Sequence, residues 1–236
     1  MIKKKFIGID QYMPMDVIHQ CILDMLHSGE LNLDELSQRM SIYNKGENRA
    51  KKAAIKIASV VTSKNALNKA LIKTFSPEDY ARLNTWEKNI IAVCLISVRY
   101  PFLYDTLNSF AKLFNLQDTV NRQYIQSTIA ALYGSNLTLN HGLEAAIRIL
   151  IDSGLIIRIK PGLYSKGQVP QICNFVKEAW IYTDFEVNGR KKNTTDDLTY
   201  QPWHCYLPDI DIDWNDTKIL KLRFDLCSQI WIESVK

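Results

Sequence analysis

The chain has 236 residues, of which 47% are hydrophobic and 23% are charged, and its formal net charge is +4. This is the composition of a globular protein that can bury a core, which argues against intrinsic disorder. No apolar run approaches the roughly 18 to 20 residues that a membrane helix needs, and the N-terminus lacks the apolar core of a signal peptide. We therefore expect a cytoplasmic protein with no membrane partner.

The cysteines give no sign of a disulfide framework or a zinc site. They are five in number, widely spaced, and contain no C-x-x-C pair. Such a pattern favours buried thiols in a reducing compartment. The cysteines concerned are Cys21, Cys94, Cys173, Cys205 and Cys227.

The N-terminal segment is predicted to form three helices. Apolar spacing indicates helices over residues 15–27, 33–40 and 47–64, with Asn32 as the N-cap of the second. Three helices with a short middle member and a basic third member have the order of a helix-turn-helix unit.

The third predicted helix carries much of the main basic cluster. Residues 44–73 hold seven lysines and one arginine against one glutamate, a net charge of +7, whereas residues 168–236 carry −3. Such a patch attracts polyanions, although a lysine-rich helix face is more often only solvated. The cations that share one side of this helix, and that would form a phosphate-contacting face, are Arg49, Lys52 and Lys56.

A run of core helices is predicted to follow. Ser76 and Pro77 have the residue types that begin a helix, Pro101 interrupts a strongly apolar segment, and Gly134 has the type that ends one. The aromatic side chains of this run are expected to pack in the core rather than to stack on nucleobases. The predicted helices cover residues 77–84, 86–100, 103–113 and 121–133.

Residues 138–166 contain the most informative pattern in the chain. Apolar residues recur at helical spacing up to Gly154, and a β-branched segment then leads into Pro161-Gly162, a pair favoured at the centre of a type II turn. The sequence therefore predicts a helix that runs directly into a tight β-hairpin. The polar face of the helix carries His141, Glu144, Arg148 and Asp152.

This helix and hairpin resemble the last helix and wing of the winged-helix superfamily. The resemblance lies in the Asp-Ser-Gly-Leu-Ile ending of the helix and in the Arg-Ile-Lys-Pro-Gly-Leu-Tyr hairpin. It implies a helix in the major groove of DNA and a hairpin on the phosphate backbone, although many such domains bind only protein. On this basis Asn140 would cap the helix and donate to phosphate, and three side chains would face the groove: His141, Glu144 and Arg148. The cations that would grip the backbone from the wing are Arg158, Lys160 and Lys166.

The C-terminal third changes character. We predict a helix over residues 172–182, a hairpin turn at Asn188-Gly189 and a loop over 193–197. Period-two alternation then predicts short strands over residues 210–214, 219–224 and 229–232.

The predicted fold class is mainly α with a minor β part. It comprises an N-terminal helix-turn-helix-like bundle in residues 1–75, a helical core ending in a winged helix in residues 76–167, and a small β-containing extension in residues 168–236.

Catalytic motifs are weak by comparison. Asp209, Asp216 and Lys218 echo the Pro-Asp and Asp-x-Lys pattern of metal-dependent nucleases, but the two aspartates lie closer together in sequence than in that class. Adjacent residues His204 and Cys205 have no further ligands at metal-binding spacing. We therefore expect no catalytic residues, no metal and no cofactor.

The order of three segments also resembles the BrxA family of bacterial BREX phage-defence systems. These segments are NRAKKAAIKIASVVTS, WEKNIIAVCLISVRYPFLYDTLNSF and LEAAIRILIDSGLI. The resemblance implies a non-enzymatic, accessory role in DNA binding. We therefore expect a regulator or defence component that binds double-stranded DNA, with homodimerisation open. The alternatives are a protein-interaction subunit of a multi-protein complex and, third, a metal-dependent nuclease.

Overall fold

The computed structural model of the chain describes residues 5–135, 137–190, 192–207, 211–224 and 230–234. The protein is 63% helix and 11% strand, which confirms the mainly α class with a minor β part. Within these residues no single helix is long and apolar enough to cross a membrane. Helices α6 and α7, whose bounds are given below, pass that test only as a pair that bends by 118°.

The N-terminal part forms the three expected helices, an unpredicted fourth helix, and a fifth, which agrees with the helix predicted over residues 77–84. Asn32 caps α2 as expected, since its side chain accepts from the backbone N–H groups of Asp34 and Glu35. The third helix ends at Val61 rather than residue 64, because the Asn68 amide donates to the carbonyls of Val60 and Val61 and satisfies that helix end. The bounds are α1 (Met15–Ser28), α2 (Leu33–Ser41), α3 (Glu47–Val61), α4 (Ala66–Thr74) and α5 (Pro77–Arg82).

Two helices form the centre of the core. Helix α6 (Thr85–Arg99) begins with a capping box between Asn84 and Glu87, and α7 (Pro101–Phe114) begins at the proline that interrupts it. Both helices are buried over most of their surface, which agrees with the prediction of apolar struts. The other elements pack around them.

The next two helices lie, in chain order, between the first and second strands of a small antiparallel sheet. The elements are β1 (Thr119–Asn121), α8 (Arg122–Tyr133), α9 (Leu137–Asp152), β2 (Ile156–Lys160) and β3 (Leu163–Lys166). The strand order is β1-β3-β2, with Val120 paired to Tyr164. The predicted hairpin is confirmed, and Gly154 and Gly162 take the positive φ values of 82° and 77° that glycine tolerates. Strand β1 was not predicted, because three residues are too few to show a period.

The C-terminal third forms one helix and a second three-stranded sheet. The helical elements are α10 (Asn174–Asn188), α11 (Thr195–Thr199) and two 3₁₀ turns (Pro202–Cys205 and Trp214–Asp216). The strands are β4 (Lys192–Thr194), β5 (Leu220–Phe224) and β6 (Ile230–Ser234), in the order β4-β6-β5. The last two agree with the predicted strands over residues 219–224 and 229–232, although residue 229 lies outside the described residues.

Three sequence predictions in this third were wrong. Asn188-Gly189 does not turn a hairpin: α10 continues through Asn188, and Gly189 ends it in the left-handed conformation, a role that suits the same residue types. Residues 193–197 are not a loop, because Thr194 and Asp197 form a capping box that starts α11. Residues 211–213 form no strand, and residue 210 lies outside the described residues.

The C-terminal sheet is tied to α10 by a buried carboxylate. Glu178 is fully buried and accepts hydrogen bonds from the backbone N–H groups of Lys218, Ile219 and Leu220. Burial raises the pKa of Glu178, and the three backbone hydrogen bonds oppose that shift. One cluster of buried apolar side chains runs from Ile7 to Ile232, so contacts cross all three predicted segments. Their boundaries stay predictions.

The thiols of the described cysteines are free. Cys21 and Cys94 are buried, whereas Cys173 and Cys205 are partly exposed. Burial is the main cause that raises the pKa of each of these thiols. Cys227 lies outside the described residues.

A partly buried histidine, His19, should make stability depend on pH. The Nε2 atom of His19 lies 2.9 Å from Asn89 Oδ1, its Nδ1 lies 3.0 Å from the Tyr80 hydroxyl, and burial lowers the pKa of His19 below 6.5. The unfolded chain therefore takes up this proton first on acidification, so the contribution is present above about pH 6.5 and is lost as the pH falls toward the folded pKa. His19→Gln should remove part of the decrease in melting temperature between pH 7.5 and 5.

Histidine 27 provides the matched control for that measurement. It lies on the same helix but is exposed, so His27→Gln removes an imidazole from α1 without removing the buried contacts of His19. Equal effects of the two substitutions would contradict the role of His19.

Candidate nucleic-acid interface

Helix α9 presents the polar face that the sequence predicts. Its apolar positions between residues 139 and 150 are buried, whereas His141, Glu144, Arg148 and Asp152 are exposed. We call these four residues the polar stripe. The helix begins at Leu137, so Asn140 lies inside its first turn and the prediction that Asn140 caps the helix was wrong. The cause is that the apolar face starts one turn earlier, at buried Leu139.

Asn140 instead contacts the preceding helix. Its Oδ1 atom accepts a hydrogen bond of 3.0 Å from the Gln126 side chain on α8. Its amide therefore joins the two helices, and Asn136, which precedes α9, lies outside the described residues.

An extended segment at the N-terminus crosses α9. We call residues 5–14 the strap. A Cβ atom at Gly142 would lie 2.6 Å from Ile7 Cγ2 and 2.8 Å from the Ile9 carbonyl oxygen, so the strap touches the helix where a side chain is missing. The strap is held at its start by Lys5, whose Nζ lies 2.8 Å from the buried Asp105 carboxylate.

Tyr12 of the strap lies against the polar stripe. The Arg148 guanidinium stacks on the Tyr12 ring at 3.7 Å from its centroid, and the Tyr12 hydroxyl donates to Asp152. Burial is the main cause that raises the pKa of Tyr12, followed by the hydrogen bond to Asp152. Stacking leaves the N–H groups of Arg148 available at the guanidinium edge, so Tyr12 orients this cation without neutralising it.

The three cations predicted on α3 have different roles. Lys56 is held by the strap: its Nζ lies 2.9 Å from Asp10, donates to the Gly8 carbonyl, and sits 5.6 Å from the Tyr100 ring centroid. Arg49 and Lys52 are exposed, and neither forms an ion pair within the described part of the chain. The free positive charge of this face therefore comes from Arg49 and Lys52.

A cleft joins α3 to α9. It has a volume of about 340 Å³, and each of its described lining residues has a polar or charged side chain. Since Asp10 is paired with Lys56, Arg49 is the unbalanced charge of this cleft. The lining residues are Asp10, Gln11, Asn44, Arg49, Thr138 and His141. The structure thus brings together Arg49 and His141, which the sequence assigned to two separate units.

Arg122, the first residue of α8, connects the hairpin turn to the polar stripe. The backbone N–H of Arg122 donates to the Gly162 carbonyl at 2.8 Å, and its Nη1 lies 2.9 Å from the Glu144 carboxylate. Glu144 is therefore ion-paired rather than free. This arrangement connects the turn of the hairpin, the start of α8 and the middle of α9.

Helical geometry places these contacts on two sides of α9. Asn140 and Glu144, one turn apart, face α8 and the hairpin turn, whereas Thr138 and Gly142 face the cleft and the strap. His141 lies between the two pairs at about 100° per residue and is exposed. The exposed stripe of α9 is thus flanked by the hairpin turn on one side and by α3 on the other.

The cations of the hairpin are mostly free. Arg158 and Lys160 are exposed and form no ion pair among the described residues, whereas Lys166 Nζ donates to the Cys205 carbonyl at 3.1 Å. Ile157 and Ile159, which alternate with these cations on edge strand β2, are 48% and 56% exposed.

The residues proposed for nuclease chemistry form no comparable cluster. Asp216 is ion-paired with Lys218, and Asp209 lies outside the described residues. His204 is partly exposed in a 3₁₀ turn. No group of three His, Cys, Asp or Glu residues in the described part of the chain is placed to hold a metal ion.

Sequence reasoning missed Tyr12 and Arg122. The contact of Tyr12 with Arg148 joins positions far apart in the chain and has no local pattern. Arg122 did carry a signal, because it is a cation at the first position of a helix whose first turn has no acidic residue. Such a placement opposes the helix dipole.

Gly142→Ala should loosen the strap. Alanine normally favours a helix over glycine by about 1 kcal/mol, but here its Cβ would collide with the backbone of Ile9. Overpacking of this kind costs about 1–3 kcal/mol, so we expect a lower melting temperature and faster hydrogen exchange at the amides of the strap. Asn140→Ala, on the same helix but away from the strap, should not accelerate that exchange. A higher melting temperature for Gly142→Ala would contradict the contact.

Comparisons of the chain with protein-family models, curated proteins and solved structures found no match. The roles of the polar stripe, the cleft and the hairpin are therefore argued from their residues and contacts alone.

Proposed function

We propose that this chain is a non-enzymatic protein that binds double-stranded DNA. The observation that carries the proposal is the cleft that Arg49 of α3 and His141 of α9 both line. Two helices that the sequence marks separately as DNA-contacting thereby share one surface. Through its resemblance to the BrxA family, we further propose a role as a bacterial regulator or as an accessory component of a phage-defence system.

Residues 101–166 form the winged-helix unit in this proposal. The supporting observation is the order helix, strand, helix, helix, hairpin, in which β1 pairs with the returning strand β3. This pairing fixes the hairpin beside the start of α8 and so beside the polar stripe. Helix α9 would enter the major groove and the hairpin would lie on the phosphate backbone, as the resemblance implies.

Phosphate contacts would come from both flanks of α9. Arg158 and Lys160 lie on the hairpin, and Arg49 and Lys52 lie on α3. These four are exposed cations without ion pairs among the described residues, so no salt bridge has to break before they bind phosphates. Their binding also releases counterions from the DNA, which favours association. Lys56 and Lys166 instead hold the protein's own backbone, and we assign them a supporting role.

A second candidate function is a protein-interaction subunit. The exposed pair Ile157 and Ile159 on the edge strand favours it, because apolar side chains and free backbone groups at a sheet edge suit an added strand. With Arg158 and Lys160 between them, the fitting partner would present an extended acidic segment.

Charge reversal in the hairpin tests the DNA proposal. Arg158→Glu with Lys160→Glu should lower the affinity for a duplex at least about tenfold in a gel shift at low salt. It should also reduce the slope of log affinity against log salt by about two, one for each lost phosphate contact. The control is Arg82→Glu with Arg223→Glu, which makes the same change in net charge at two other exposed arginines.

Each outcome separates the candidates. Unchanged duplex affinity in the hairpin variant would show that the wing assignment is wrong. An equal loss in the control variant would mean that net charge alone sets the affinity. If the wild-type chain binds no duplex at low salt, the DNA proposal fails and the protein-interaction function becomes the better account.

A further inference from the structure

Arg122 occupies a position that stability does not explain. It is the first residue of α8, where the helix dipole disfavours a cation, and α8 has no acidic residue in its first turn to compensate. Its Nε atom is buried without a hydrogen-bond partner, which adds a desolvation cost. Its ion pair with Glu144 is partly exposed, at 33% and 56% for the two side chains, and such pairs contribute about 1 kcal/mol or less.

The same position suits recognition of a base. A guanidinium carries five N–H groups in a fixed planar fork, and the Glu144 carboxylate lies 2.9 Å from its Nη1 atom. The ion pair places the guanidinium beside Glu144, and because one carboxylate cannot accept from all five N–H groups, some of them are left for another acceptor. Glu144 belongs to the polar stripe, so the guanidinium is held beside the part of α9 that would face the groove.

The charge of Glu144 indicates whether Arg122 would bind a base or a phosphate of the DNA. A carboxylate 2.9 Å from Nη1 neutralises most of the attraction that Arg122 would exert on a phosphate and would itself repel one. A neutral base edge does not suffer this repulsion but still accepts directional hydrogen bonds. Guanine presents two acceptors, O6 and N7, in the major groove, and these match the fork of an arginine.

We infer that Arg122 reads a guanine in the major groove and that Glu144 is the positioning residue that holds its guanidinium. The inference rests on the proposed function, since it requires α9 to lie against DNA. It assigns sequence preference to one Arg-Glu pair, and overall affinity to the free cations of the hairpin and α3.

Two substitutions distinguish recognition of guanine by Arg122 from simple electrostatic attraction of Arg122 to DNA. Arg122→Lys keeps the charge but loses the planar fork, so it should remove the guanine preference while leaving affinity for random duplex within about twofold. Glu144→Ala removes the neutralising carboxylate, so affinity for random duplex should rise while the preference falls. A purely structural ion pair predicts instead that Arg122→Lys, whose ammonium can still pair with Glu144, keeps the guanine preference of the wild type.

The experiment uses the full chain and a duplex selected by the wild-type protein from a random library. Each G·C pair of that duplex is replaced in turn by A·T, and affinities are measured at fixed salt. In the wild type, replacement at one position should cost about tenfold, the size of one good bidentate contact. In Arg122→Lys that replacement should cost almost nothing. Arg82→Lys, in the exposed pair of Arg82 with Asp79, is the matched control and should keep the wild-type pattern.

Melting temperatures of the variants exclude a folding defect, and the outcomes are distinct. An unchanged guanine preference in Arg122→Lys would overturn the inference, because lysine can replace arginine at a phosphate or in an ion pair but not in a bidentate contact with guanine. A selection that yields no preferred duplex would overturn the inference and leave the proposed function standing. Absence of any salt-dependent duplex binding by the wild type would overturn both.

Discussion

The strap can lie against α9 only because position 142 has no side chain. The Ile9 carbonyl would be 2.8 Å from a Cβ there, closer than such atoms approach in folded proteins, so the contact depends on glycine. This approach fixes the rest of the strap, including Asp10, which lines the cleft, and Tyr12, which orients Arg148. The strap thus joins α3 and α9 into one surface, although the two helices are separated by more than 70 residues in the sequence.

The cations of that surface divide into two groups with different physical roles. Lys56 and Lys166 bond to backbone carbonyls, and Arg122 is paired with Glu144, so these side chains are already ordered. Arg49 and Arg158 are representative of the exposed cations that have no ion pair among the described residues. An ordered cation loses little side-chain entropy on binding, whereas a free cation offers its full charge. A count of lysines and arginines cannot make this division, because it depends on contacts between distant segments.

Much of the fold follows from local pattern, and the failures have local causes. Asn32, Gly134 and Gly154 were predicted correctly as helix caps because capping depends on a few adjacent residues. Asn188-Gly189 was misread because the same residue pair suits a hairpin turn and a helix end, and α10 is buried too evenly to show a period. For the candidate interface, the residue types on α3 and α9 were predictable, but the contact between them was not, because it is made through the strap.

Two arginines of this surface are oriented in different ways, and this bears on how such a surface would work. Arg148, in the polar stripe, is oriented by an aromatic ring, which leaves its charge intact and suits attraction of a polyanion. Arg122, on the neighbouring helix α8, is placed by the Glu144 carboxylate, which reduces its long-range attraction and leaves directed N–H groups. A surface built only of the first kind would bind any duplex, and one built only of the second kind would bind too weakly to find its site. The presence of both kinds of arginine on one surface would allow affinity and sequence preference to be set by separate residues.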